Sequence, residues 1–173
     1  MSVTDNVAAG RQPASLAEIE MIYRKRLSDF RRVARAALGS TEAARDAVQD
    51  GFVRAIRDRA AYRGEGPLEA WVWRCVMNAV RTSERKTPRR DGATQQQFLD
   101  SPAHPEPAAP DDEVRAMINR LPERQRFALF LRYYADLDYA GIAEALEISA
   151  GTVAASLHAA HQSLRQALAE ASP

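Results

Sequence analysis

Cysteine is almost missing from this chain. Cys75 is the only one in 173 residues, so no internal disulfide can form and the sequence suits a reducing compartment. No apolar run approaches the roughly 20 residues that span a bilayer. Residues 1–14 are polar and lack the apolar segment of a secretion signal. A cytoplasmic location is therefore expected. No segment alternates apolar and polar residues in the manner of a half-buried strand, which excludes a sheet-based fold. No nucleophile–base set, metal-ligand cluster or phosphate-cradling glycine loop is present, so the reading is a non-enzyme with no catalytic residue, no cofactor and no metal.

Strong net charge is also missing, but the total of +1 conceals an asymmetry. Residues 1–110 hold 18 Lys and Arg against 14 Asp and Glu, a balance of +4; residues 111–173 hold 6 against 9, a balance of −3. Basic side chains supply the phosphate contacts that dominate nucleic-acid affinity. On charge alone the first part is the better partner for a polyanion. Apolar residues make up 46% of the chain, enough for packed cores.

What remains is helical patterning throughout. A first helix is predicted over residues 16–38, with Ile19, Ile22, Tyr23, Leu27, Phe30, Val33, Ala34 and Ala37 at helical spacing and Gly39 as its stop. Ser40 or Thr41 caps a second helix reaching about Arg59, with Val48, Phe52, Ile56 and Val53 or Ala55 buried. After the Gly64 and Gly66 break, Pro67 opens a third helix over 68–86. Five prolines between 88 and 110 and a Gln-rich stretch at 95–97 mark residues 87–112 as a flexible linker. Asp111 or Asp112 caps the start of the C-terminal helices. Helices are then expected over 125–134, 139–146 and 151–169, with Ser149 capping the last. Asp136 and Asp138 stand ready to cap the one before it. Short helix, turn and longer helix is the layout of a helix-turn-helix reader of duplex DNA. The expected organisation is an all-α chain of two small helical domains on a tether. It comprises a disordered tail over 1–15, one domain over 16–86, the flexible linker over 87–112, and a second domain over 113–170.

The third helix carries the most specific chemistry. Val72, Trp73, Val76, Met77 and Val80 make one apolar face. Trp71 lies about 200° from Trp73 around the helix, so both indoles are not expected in one core. Trp71, Arg74, Asn78, Arg81 and Arg85 form a second stripe of one aromatic, three arginines and an amide. An aromatic platform among arginines suits an unpaired base and its backbone. Tyr62 and Arg63 stand beside glycines that permit close approach of a ligand. Read plainly, the same helix is an amphipathic one with a solvated basic face and a Trp that merely covers a neighbour.

These residues resemble a known family. Ala44-Arg-Asp-Ala-Val-Gln-Asp-Gly-Phe-Val-Arg-Ala-Ile and Tyr62-Arg-Gly-Glu-Gly-Pro-Leu-Glu-Ala-Trp-Val-Trp-Arg resemble the second domain of bacterial sigma factors of the sigma-70 family, extracytoplasmic-function (ECF) type. Leu121-Pro-Glu-Arg-Gln-Arg, Leu131-Arg-Tyr-Tyr, Tyr139-Ala-Gly-Ile-Ala-Glu-Ala-Leu and Ile148-Ser-Ala-Gly-Thr-Val resemble that family's fourth domain. The resemblance implies a factor that directs transcription initiation in response to a stress or envelope signal. The implied partners are core RNA polymerase (its β′ clamp and β flap), promoter DNA and an anti-sigma factor, with no membrane. Asp46, Gln49, Asp50 and Arg54 would dock on polymerase. Tyr62, Arg63, Trp71, Arg74, Asn78, Arg81 and Arg85 would hold the start-proximal promoter element. Thr152, Ala155, Ser156, His158 and Arg165 would face the upstream element.

The last helix departs from the family pattern. Val153, Leu157, Leu164 and Leu168 keep a buried stripe, but Arg165 is its only basic residue. Each missing phosphate contact lowers affinity. Upstream binding is therefore expected to be weak. Two other readings stand beside the sigma factor: a sigma-like decoy that binds a regulator without starting transcription, and a plain helix-turn-helix repressor. His158 and His161 read as surface histidines, Cys75 as a small core residue, and Tyr133–Tyr134 as core and rim packing.

Overall fold

Local capping chemistry sets the helix boundaries in the computed structural model, which describes residues 13–64, 66–86 and 112–171. Ser15 and Glu18 form a reciprocal capping box at the start of α1 (Leu16–Leu38). Gly39 ends it in the left-handed conformation, φ 71°. Ser40 caps α2 (Thr41–Arg57) by accepting from the Ala43 N–H at 3.2 Å. α2 stops two residues sooner than the sequence suggests. Asp58 leaves the helix, and Arg59–Ala61 form a 3₁₀ turn. α3 (Leu68–Lys86) starts directly after Pro67. α4 (Asp112–Arg120) and α5 (Glu123–Tyr133) lead to α6 (Tyr139–Leu146), capped by Asp138 through the Gly141 N–H at 2.7 Å. Asp136 does not cap it; that residue adopts φ 50° and faces Arg132 instead. Ser149 caps α7 (Ala150–Ala171) through the Thr152 N–H at 3.1 Å. No strand occurs among the described residues.

The fold is all-α, as its patterning implies. α1, α2 and α3 pack around Phe30, whose ring meets Phe52 at 5.0 Å and Trp73 at 4.0 Å between centroids. Val72, Val76, Met77 and Val80 complete that core. α5, α6 and α7 pack around Phe127, Leu131, Ile142 and Val153. The two sets are not separate. α6 lies on α3 and α5 on α1, and one continuous apolar cluster runs through both. The expected tail before Leu16, apart from residues 13–15, and the expected linker, apart from Asp112, lie outside the described residues.

Three apolar assignments are corrected. Ile56 is 42% exposed, because the buried stripe of α2 runs through Ala44, Ala47, Val48, Gly51, Phe52 and Ala55; of the alternatives Val53 and Ala55, Ala55 is the buried one. Ile56 sits well outside that stripe at 100° per residue. Leu168 is exposed, since the last turns of α7 run clear of the packed core. Tyr133 is also exposed, while Tyr134 packs on Phe130 at 5.9 Å between rings.

Candidate nucleic-acid interface

The basic–aromatic stripe of α3 is where local sequence and tertiary structure part company. Trp71 is not on an open face. It is 5% exposed, with the Tyr62 ring 5.8 Å away. Trp73 is fully buried on the opposite side of the helix. Both indoles are thus buried, and Trp71 covers a neighbour as the plain amphipathic reading has it, while Trp71 as an open stacking platform is corrected. They sit in different contacts: Trp73 against Phe30 in the α1–α2–α3 core, and Trp71 beside the Tyr62 ring.

The arginines of the stripe are engaged by the same helices. Arg74 reaches Glu144 at 3.5 Å and Glu147 at 3.8 Å, both at the C-terminal end of α6. Arg81 reaches Glu123 at the start of α5 at 3.2 Å, and its guanidinium lies 5.6 Å above the Phe127 ring. Asn78 supports it, accepting from Arg81 at 3.3 Å. Only Arg85, near the end of α3, points outward from the stripe. A shallow groove of about 450 Å³ opens where α3 meets α6, with Arg74, Ala143, Glu144 and Ile148 in its walls.

The loop before α3 is ordered by its own backbone. The Tyr62 hydroxyl donates to the Gly66 carbonyl at 2.6 Å, and Gly64 takes φ 68°. Arg63 is exposed. A side chain at Gly66 would stand 3.8 Å from the Glu144 carboxylate, so α6 covers this loop too.

Further contacts pin the two helical sets together. Arg26 of α1 donates to the Ala135 carbonyl at 2.6 Å and pairs with Glu69 at 2.8 Å. Arg126 of α5, 8% exposed at its side chain, pairs with Glu84 of α3. None of Arg26, Glu84, Glu123, Arg126, Glu144 and Glu147 stood out in the sequence as a site residue. The −3 balance of residues 111–173 is the signal that marks the glutamates of α5 and α6: an acidic unit sits on a basic one.

On α2, Asp46, Gln49 and Asp50 are exposed and Arg54 is half-buried, so these four are brought together on one outward face beside exposed Val53. In α7 the expected set divides. Ala155, His158 and Arg165 are exposed on one stripe that also includes Gly151 and Gln162. Ser156 is 8% exposed and belongs to the packed face near Val153 and Ala160, which removes it as a base reader. Thr152 is half-buried and its hydroxyl bonds to Ser149 at 2.8 Å. His161 bonds to the Tyr133 hydroxyl at 2.9 Å and is held at the surface by it. Cys75 is half-buried; burial pushes its thiol up to about 11. Among the described residues no helix is long and apolar enough to cross a membrane.

Comparison with known proteins decides the family. Residues 22–90 match the family model for sigma-70 region 2, and residues 111–164 match that for sigma-70 region 4. The chain belongs to the sigma-70 family, in its ECF group. It is similar to the RNA polymerase sigma-H factor of Pseudomonas aeruginosa, 28% identical over 72% of each chain. The RNA polymerase sigma factor YlaC of Bacillus subtilis is 24% identical, over 86% of this chain and 90% of that one. The ECF RNA polymerase sigma-E factor of Escherichia coli is 27% identical, over 69% and 70%. The fold is similar to that of CnrH in complex with the cytosolic domain of CnrY, with TM-score 0.69, 19% identity and 92% of both chains covered. It is also similar to the sigma factor RpoE of Bartonella quintana in complex with the anti-sigma factor NepR, with TM-score 0.64, 20% identity, and coverage of 88% and 98%. As a sigma factor, the protein acts in transcription initiation and is not itself an enzyme.

Proposed function

We propose that this sigma factor binds core RNA polymerase through the outer face of α2 and opens the start-proximal promoter element with α3. Asp46, Gln49, Asp50 and Arg54 form the docking face on the polymerase clamp. Tyr62, Arg63, Trp71, Arg74, Asn78, Arg81 and Arg85 take the separated strand once the C-terminal helices have moved aside. An aromatic ring between arginines stacks a base while the guanidiniums hold its phosphates. The single observation that carries this reading is the gathering of Trp71, Arg74 and Arg81 on one face of α3 beside the Tyr62–Gly66 loop.

The exposed stripe Gly151, Ala155, His158, Gln162 and Arg165 of α7 enters the major groove of the upstream element. With one arginine it contributes little affinity of its own. The C-terminal unit also meets the polymerase flap. An anti-sigma factor is a further partner, and release from it links the protein to an envelope or stress signal. Likeness in fold to RpoE, solved with the anti-sigma factor NepR, supports that partner.

Run-off transcription with purified core polymerase on a pool of genomic promoter fragments tests the proposal. Discrete new transcripts that disappear with Arg74→Ala are the expected result. Polymerase binding without transcripts would replace the proposal with the decoy reading. Neither binding nor transcripts would leave a simple helix-turn-helix repressor.

A further inference from the structure

The basic residues of α1 are gathered on one side. Residues 24–35 hold six Lys and Arg against one Asp, a balance of +5 that exceeds the +4 of residues 1–110 as a whole. At 100° per residue, Arg24, Lys25, Arg31, Arg32 and Arg35 fall within an arc of about 120°. The arc is opposite the side that sends Ile19, Phe30, Val33 and Ala37 into the core, where α1 packs on α2, α3 and α5. Arg24, Lys25 and Arg31 are exposed; Arg32 and Arg35 are half-buried. Of the six cations, Arg26 turns inward, to Glu69 and the Ala135 carbonyl.

Nearby acids do not neutralise the arc. Asp29 is buried beneath it and shared between Arg26 and Arg32. Glu20 pairs with Arg24 at 2.7 Å, but both side chains are well exposed, where such a pair is weak. Glu18 is turned to its capping box. Lys25 and Arg31 form no ion pair among the described residues.

The box at Ser15 and the stop at Gly39 fix both ends of α1, so the spacing of these cations is set. Arg24, Arg31 and Arg35 follow one line, about 10 and 6 Å apart along the axis. Duplex DNA carries one negative charge per about 1.7 Å, roughly ten over that length. Four of the five cations of the arc are arginines, whose forked guanidinium suits phosphate oxygens. No aromatic or amide side chain shares the arc, and Ser28 between them is too short to reach a base past the arginines. Such a face reads backbone and not sequence.

We propose that the outer face of α1 is an anchor for the backbone of duplex DNA, separate from α3 and α7 and indifferent to sequence. It supplies phosphate contacts that α7, with Arg165 alone, lacks. It stays open while α5 and α6 lie on α3.

Fluorescence anisotropy with the full chain and a short labelled duplex of arbitrary sequence tests this over about 50 to 200 mM salt. The test variant is a triple, Arg24→Gln with Lys25→Gln and Arg31→Gln. A control triple, Arg57→Gln with Arg120→Gln and Arg124→Gln, makes the same change in net charge away from α1. Glutamine keeps the helix propensity of the residues it replaces, and an equal melting temperature checks the fold. In the first triple the slope of log affinity against log salt should be shallower by about 2–3, with binding at low salt roughly tenfold weaker, on this duplex and on an unrelated one alike. The control should bind as the parent does. Glu20→Gln removes the acid beside Arg24 and should tighten binding a few-fold, a gain that no folding defect produces; if the triple melts early, this variant decides alone, and no gain overturns the anchor. A parent that does not bind duplex at low salt, or an equal loss in the two triples, also overturns it. Poly-glutamate competing as well as unlabelled duplex of equal charge would assign the face to an acidic protein instead. The first triple leaves every side chain of α3 and α7 in place, so its result stands apart from the roles given to those helices.

Discussion

Gly51 lies in the middle of α2, where helix propensity alone argues for alanine. Replacing glycine by alanine inside a helix stabilises by about 1 kcal/mol when nothing else changes. Here something does change. A Cβ at Gly51 would lie 2.6 Å from the Val76 Cα and 2.8 Å from its Cγ2. Carbon atoms in good contact stand about 3.5–4.0 Å apart, so the methyl overlaps a helix backbone by roughly 1 Å. A backbone atom of α3 cannot rotate away, and α2 must lift from α3 across their most extensive contact. Overpacking of this kind costs about 1–3 kcal/mol. After the propensity gain, Gly51→Ala should still destabilise, by up to about 2 kcal/mol. For a chain of this length that is a fall in Tm of up to roughly 8 °C. A circular-dichroism melt of the purified variant measures it. A Tm equal to or above that of the parent would refute the argument, because it would mean that α2 and α3 do not approach as closely as described.

Four other outcomes rest on particular contacts. Gly39→Ala meets no steric obstacle, yet should lose about 1 kcal/mol by urea titration, because φ 71° disfavours any side chain. Asp138→Ala removes the cap of α6 and should cost about 0.5–2 kcal/mol in the same titration; an unchanged midpoint would mean the cap is idle. Arg126→Met removes a buried guanidinium that bonds to Glu84 and the Leu121 carbonyl; broken pairs of this kind cost about 3–5 kcal/mol, read as a loss of cooperativity or midpoint in the melt. Cys75 is held protonated by burial, its pKa moved from 9.0 to about 11. Its thiolate fraction at pH 8 is thus about a hundredfold below that of the unfolded chain, and alkylation by iodoacetamide should slow accordingly. The sign for stability is that of a raised acid: the contribution is whole below pH 9 and is lost as pH climbs from 9 towards 11.

Helix limits were legible wherever a boundary is written in local chemistry. Gly39, Pro67 and Asp138 mark the ends of α1, α3 and α6 at the residues where the sequence places them. The core face of α3 was legible for the same reason, since a 3.6-residue period fixes which side chains point together. Period does not say what lies opposite. Trp71 and Trp73 do point apart, but a second unit covers the far side, and no local signal announces it. Ser156 shows the same limit at smaller scale: a serine in a stripe with Val153 and Ala160 looks like a groove-facing hydroxyl until α5 and α6 are packed around it. Gly51 passed unnoticed because close helix approach leaves no mark except the missing side chain itself. The glutamates of α5 and α6 that reach α3 were present in the charge totals, where the acidity of the C-terminal residues looked like an obstacle to DNA binding rather than a contact.

In the function proposed above, that contact alters what ionic strength does to DNA binding. An arginine that binds DNA releases condensed cations from the phosphates, and this release is what salt opposes. Arg74 and Arg81 begin from carboxylates rather than from water. When they turn to phosphate, Glu123, Glu144 and Glu147 are left exposed and gather cations of their own. The net release per arginine is then smaller than the roughly 0.7 cations expected for a neutralised phosphate on a single strand. Binding becomes an exchange of one set of anions for another. A promoter contact made by exchange holds its strength over a wider span of salt than an open row of arginines would.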